Sequence, residues 1–228
     1  MIVRQIPRVE TGCMSYLIGD PGSGVAALVD PTEDPRVFLQ EASALGLRIE
    51  RVIETHTHQD HVSGAKALAA RLRAPVHLPF KSPAKYPHES IAENSRLRIG
   101  DSELRAIHTP GHTPDHMTYV LGDAALVGDC LLVGTVGRAD FYPEGPEELY
   151  HSVFDKILRL SDEVVVYPAH YGPHHGLPED RFTTLGHERR FNEALTVKSK
   201  EDFIRYMMEG WPPKPGGWRE ISERNTSA

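Results

Sequence analysis

The stretch Thr55-His56-Thr57-His58-Gln59-Asp60-His61 constrains this chain more than any other. It stands between the strand-like run Arg51-Val52-Ile53-Glu54 and the helix-like run Val62 to Ala69. In an extended segment residues i and i+2 point the same way, so His56 and His58 can share one cation. Asp60 and His61, turned by the loop, reach a neighbouring position, and Asp60 is also placed to cap the following helix. As a solvated loop the cluster makes little sense: crowded imidazoles repel one another if protonated and gain little if neutral. A divalent cation resolves the conflict. It also requires ligands from later in the chain, because four side chains so close in sequence cannot complete two coordination shells.

Around this loop the apolar pattern alternates between short strands and helices. Ile2 to Ile6, Met14 to Ile18 and Val25 to Val29 read as antiparallel strands joined by tight turns. From Asp34-Pro35 the period changes to 3.6, with Val37, Phe38, Glu41, Ala42 and Leu45 on one face and Gly46 as the stop. A strand over Ile49 to Glu54 delivers the histidine loop, and a helix to Leu72 and a strand Pro75 to Leu78 follow. The Pro-, Lys- and Ser-rich stretch Pro79 to Ser95 reads as a surface loop. Strands return at Leu97 to Ile99, Leu104 to His108, Met117 to Leu121 and Ala124 to Val127. A helix over Pro146 to Leu160 leads to Val164-Val165-Val166-Tyr167, whose unbroken apolarity indicates a sheet interior. Helices near Thr183 to Leu195 and Lys200 to Gly210 precede a Pro/Gly-rich tail from Trp211. Two similar halves, each a sheet with outer helices, give an α/β fold, a four-layer αββα sandwich. The expected organisation is a single domain over 1–228, with the C-terminal helices and tail from about 180 packed on it.

The formal net charge of −7 argues against nucleic-acid or anionic-membrane partners. No apolar run approaches twenty residues and Met1 to Ile6 reads as a strand rather than a leader, so the expected location is cytoplasmic. Two cysteines, Cys13 and Cys130, make no disulfide framework and fit a reducing compartment.

The later ligands are found at expected strand ends. In His108-Thr109-Pro110-Gly111-His112-Thr113 the Pro-Gly pair forces a turn that holds His112. Asp129 follows the apolar strand Ala124 to Val127, and His170 follows the buried strand in Tyr167-Pro168-Ala169-His170-Tyr171-Gly172. With the first cluster these make seven ligands, enough for two metals about 3.5–4 Å apart bridged by a carboxylate and a water or hydroxide.

Together, His56, His58, Asp60, His61, His112, Asp129 and His170 resemble the ligand set of the metallo-β-lactamase superfamily over nearly the whole chain. The resemblance implies the αββα fold, with His56, His58 and His112 at one metal position, Asp60, His61 and His170 at the other, and Asp129 shared. It does not fix the reaction. The segments Gly128 to Gly134 and Gly137-Arg138-Ala139-Asp140-Phe141 are similar to the persulfide dioxygenases, or sulfur dioxygenases, within that superfamily.

That branch implies one Fe(II) per chain held by His56, His112 and Asp129, a two-histidine, one-carboxylate triad with open positions. The implied substrate is a small-molecule thiol persulfide, oxidised to sulfite and thiol. Arg138 is expected to hold an anionic group of the thiol carrier, Tyr171 to flank the pocket, Asp140 to partner Arg138, and Asp60 to serve as catalytic carboxylate. Relatives suggest a homodimer, and a separate rhodanese-type sulfurtransferase is an expected partner. The alternative is a dinuclear hydrolase with two Zn or mixed Fe/Zn, acting on a thioester such as a hydroxyacylglutathione. A non-enzymatic metal-binding protein on the same scaffold is the third reading.

Overall fold

The computed structural model describes residues 1–32, 34–197, 199–209 and 211–228. Six strands form the first sheet: β1 (Ile2–Arg8), β2 (Cys13–Asp20), β3 (Val25–Val29), β4 (Arg48–Ile53), β5 (Val76–Pro79) and β6 (Glu89–Ile91), in that spatial order. The first three are antiparallel, and β3 to β6 are parallel. The second sheet runs β12-β11-β10-β9-β8-β7, from β7 (Arg96–Ile99), β8 (Ser102–His108), β9 (Met117–Leu121), β10 (Ala124–Gly128), β11 (Val165–Pro168) and β12 (Thr183–Thr184), with β10 and β11 parallel.

Side-chain alternation along each strand builds the layers. On β2, Met14, Tyr16 and Ile18 join the core between the sheets, whereas Leu17 joins the outer layer. That layer is closed by α1 (Pro35–Ala44), through Phe38 and Ala42, and by α2 (Ala65–Leu72), through Leu68 and Ala69. The outer face of the second sheet is covered by α3 (Gly145–Tyr150), α4 (Leu185–Phe191) and α5 (Lys200–Met208), with Leu149, Leu185, Phe203 and Met207 buried. The result is the expected αββα sandwich.

Several local expectations change. Asp60 does not cap α2; Gly64 stands at that position and the Ala65 N–H donates to Ser63 Oγ, while Asp60 is held by histidines described below. Leu45 and Val37 stay exposed, since the buried face of α1 is carried by Phe38 and Ala42. The stretch 79–95 contains β6, anchored by a single buried Ile91. The helix expected over Pro146 to Leu160 keeps α geometry only through Tyr150, then continues as a π-helical segment His151–Lys156 and a 3₁₀ turn Ile157–Arg159. The helix expected over Thr183 to Leu195 begins with strand β12 and is interrupted at Asn192. Gly210, the expected end of α5, lies outside the described residues. The tail forms a further helix, α6 (Trp218–Thr226).

Contacts between the sheets fix where the site is. The Met14 N–H donates to the Ala169 carbonyl at 2.7 Å, and the Met117 N–H donates to the Thr55 carbonyl at 2.7 Å. The loops after β4, β10 and β11 therefore meet at one edge of the sandwich.

Candidate metal centre

Asp30, at the end of β3, holds a left-handed backbone with φ of 51°, uncommon for a residue with a Cβ. Its carboxylate accepts from the Thr55 N–H at 2.7 Å and from the Thr55 hydroxyl at 2.8 Å. The hydroxyl oxygen is then left to accept from His56 Nδ1–H at 2.9 Å. That relay assigns the tautomer of His56 and leaves Nε2 with its lone pair, buried and without a partner. His112 is set the same way. Its Nδ1–H donates to the Arg138 carbonyl at 2.9 Å, so Nε2 faces Asp129 Oδ2 at 3.3 Å. His56 Nε2 lies 3.7 Å from the same oxygen.

Two imidazole lone pairs and a carboxylate oxygen thus converge, all within 4.8 Å of one another. Among the described residues nothing hydrogen-bonds His56 Nε2, and a cation at the convergence satisfies all three groups. His58 Nδ1 and His61 Nε2 are likewise buried without partners. The donor set fits a metal.

Asp129 is oriented by a histidine that the sequence did not single out. His116 Nδ1–H donates to Thr109 Oγ1 at 2.9 Å, and its Nε2 accepts the Asp129 N–H at 3.0 Å. Burial pushes His116 down to about 3, so it stays neutral. Gly128 has φ of +52°, and a Cβ there would come within 2.4 Å of His116 Nε2; only glycine permits the turn. Asp115 ties the two histidine loops together, accepting from the Thr57 N–H at 3.0 Å and from Thr113 Oγ1 at 2.7 Å.

The remaining histidines of the seven are engaged by carboxylates. His58 Nε2 donates to Glu54 Oε2 at 2.9 Å and lies 3.3 Å from Asp30 Oδ1. Burial disfavours its cation, but the two carboxylates outweigh that and raise it well above the ordinary histidine value. His170 Nδ1 donates to Asp129 Oδ1 at 2.6 Å and Nε2 to Asp60 Oδ2 at 2.9 Å. His61 Nδ1 also reaches Asp60 Oδ2, at 3.1 Å. Cys13, which the sequence offered only as evidence of a reducing compartment, enters here from the start of β2, with Sγ 3.6 Å from Asp60 Oδ2. Burial opposes its ionisation, yet hydrogen bonds from His170, His175 and His61 hold it down at about 4. A cysteine 47 residues before Asp60 gives no spacing signal; the pairing of Cys13 with His170 across the sheets brings it in.

A cavity of about 580 Å³ opens onto this centre, with Cys13, Asp60, His112, Asp129 and His170 on its floor and Phe141 and Trp211 on its wall. Another hollow of about 640 Å³ lies beneath α1 and β4, where none of the candidate ligands reaches it. Arg138 lines the cavity, but its guanidinium is taken: Nε and Nη2 pair with Asp140 at 2.7 and 3.0 Å, and the Pro212 and Pro213 carbonyls accept at 3.0 and 3.2 Å. It clamps the C-terminal segment over the site. Tyr171 packs into the core between the sheets with Arg181 stacked on its ring, and does not line the cavity.

No helix among the described residues is long and apolar enough to cross a membrane. Residues 8–170 match the metallo-beta-lactamase superfamily. The mouse protein named persulfide dioxygenase ETHE1, mitochondrial, is 35% identical over 94% of this chain and 84% of its own length. The crystal structure of ETHE1 from Myxococcus xanthus superposes with a TM-score of 0.91 at 33% identity, covering 99% of each chain. A hydroxyacylglutathione hydrolase of Maricaulis maris is 33% identical over 75% of this chain and 66% of its own. With the match spanning both histidine loops, Asp129 and His170, the chain belongs to the metallo-beta-lactamase superfamily.

Proposed function

We propose that the chain is a persulfide dioxygenase using one Fe(II) held by His56, His112 and Asp129. The observation that carries this is the convergence of His56 Nε2, His112 Nε2 and Asp129 Oδ2 on one point while His170 spends both ring nitrogens on Asp129 and Asp60. Two histidines and one carboxylate make the triad used by non-haem Fe(II) oxygenases, and Fe(II) held there would supply the redox chemistry that joins O₂ to a persulfide sulfur. The persulfide dioxygenases among the relatives support the same reaction.

In the balanced reaction a thiol persulfide, O₂ and water give the thiol and sulfurous acid, which ionises to sulfite. The S–S bond breaks, and the terminal sulfur is oxidised as O₂ is reduced. Asp60 keeps a proton on His170 Nε2 at the cavity floor, available to the departing thiolate. The wall of Leu132, Phe141, Trp211 and the neighbouring prolines limits water at the reacting sulfur. A reducing, cytoplasmic setting is part of this reading and is supported by two free, buried cysteines. A homodimer and a separate rhodanese-type sulfurtransferase complete it.

The test is oxygen uptake by anaerobically Fe(II)-loaded protein given glutathione persulfide or another small persulfide. One sulfite formed per O₂ consumed supports the assignment; verified iron with no uptake overturns it. A second reading, hydrolysis of a thioester by two Zn or mixed Fe/Zn, is favoured by the further donor group of Cys13, Asp60 and His61 beside the triad and by the hydroxyacylglutathione hydrolase relative. Thioester turnover by Zn-loaded protein tests it.

A further inference from the structure

The helix α6 buries no residue of its own, yet it touches the ligand loops at two places. At its start, Trp218 packs on Phe141 with ring centroids 5.2 Å apart, and Phe141 in turn meets the edge of His112 at 5.3 Å. At its end, Asn225 turns its carboxamide onto the first histidine loop. Nδ2 donates to the His58 carbonyl at 2.9 Å and to the His61 carbonyl at 3.0 Å, while Oδ1 accepts the Ser63 N–H at 2.9 Å. No backbone donor among the described residues takes either carbonyl. The three bonds bracket Asp60 and fix the loop between β4 and α2.

We infer that Asn225 is a positioning residue for the metal centre: it holds the 58–63 loop so that Asp60 stays on His170 Nε2 and, through His170 Nδ1, Asp129 stays turned to the triad. The inference rests on the metal-centre reading above. It follows from satisfaction and geometry. A carboxamide is the one side chain of this size that can donate twice and accept once, and all three capacities are used. The loop's side chains are held by Glu54 and His170, through His58, Ser63 and Asp60, but its backbone has few other ties. Among the described residues its backbone ties beyond Asn225 are the Thr57 N–H to Asp115, the bridge of Ser63 with Thr32 and the Gly64 N–H to the Pro31 carbonyl at 2.7 Å. Groups outside a coordination shell that orient its ligands typically change metal affinity about 10–100-fold when removed.

The experiment compares Asn225→Ala and Asn225→Asp with the wild-type chain by Co(II) uptake in competition with a chelator, following the visible Co(II) bands, with melting of the metal-free proteins as a control of folding. Both variants are expected to lose Co(II) affinity by about 10–100-fold, with melting shifted by no more than about 4 °C. Aspartate keeps the volume and the acceptor for Ser63 but cannot donate to the two carbonyls. An Asp variant that binds like wild type therefore overturns the proposal, because a space-filling role is all that remains. Should the Ala variant fail to fold, amide exchange of Ser63 in the wild-type protein decides: protection supports the restraint, and exchange at the rate of an exposed loop overturns it. A wild-type chain that takes up no Co(II) sinks the metal-centre reading itself, a result distinct from a loss confined to the variants.

Discussion

His170 Nδ1 donates to Asp129 Oδ1 at 2.6 Å, so the oxygen of Asp129 left facing His56 and His112 is Oδ2 alone. The other ring nitrogen of His170 is bound to Asp60. This histidine therefore behaves as a brace for the carboxylate, and its removal separates the two chemistries.

His170→Ala and Asp60→Ala are expected to lower persulfide oxidation about 10–100-fold while one iron per chain is retained. A dinuclear thioester hydrolase loses nearly all activity in the same variants, because each removes a ligand. Metal analysis beside both assays decides between them.

His112→Ala removes a triad ligand under either chemistry. Iron content and oxygen uptake should both fall to background; full activity in the purified variant would show that the centre lies elsewhere.

The neutral, buried His116 gives a pH dependence with a definite sign. Burial lowers its folded value to about 3, whereas in the unfolded chain it titrates near the ordinary 6.5. Above that value it is neutral in both states and contributes no slope. As pH falls below it, the unfolded chain binds a proton that the fold refuses, and stability drops by up to about 1.4 kcal/mol per pH unit until the folded value is reached. Urea unfolding of metal-free protein between pH 7 and 5 should show a shallower loss for His116→Gln than for wild type. Equal slopes would assign the acid sensitivity to other groups.

Arg138→Ala frees the Pro212 and Pro213 carbonyls and leaves Asp140 with Lys214, 4.0 Å away, as its cation. Faster amide exchange or proteolysis at 211–217 is the expected signature, together with a KM increase of roughly tenfold, equivalent to about 1.4 kcal/mol of lost binding. If the guanidinium instead leaves its intramolecular partners to bind the carrier, KM rises while the segment stays protected.

The first histidine loop and its flanking strand and helix were legible because their signal is local: a period-two strand, a dense ligand run, a 3.6-period helix. His112, Asp129 and His170 were legible because each follows a short apolar strand or a forced turn. Asp30, His116, Asp115 and Cys13 carry no comparable pattern. Each acts through a hydrogen bond to a residue brought near by sheet pairing, and a single polar residue in sequence does not announce its partner. The helix α6 was hidden for another reason. It follows three prolines and two glycines and buries no residue fully, being held by one aromatic contact at Trp218 and by the polar ties of Asn225. The roles of Arg138 and Tyr171 depend on where their side chains point, which a motif does not encode.

The tie between Asn225 and His58 also has a consequence for biosynthesis. The two residues are 167 positions apart. At about 5–20 residues per second, the histidine loop is synthesised roughly 8–33 s before the residue that braces it. A centre assembled this way matures late, so metal delivered to the nascent chain meets an unbraced loop, and stable loading waits until residue 225 is free of the ribosome.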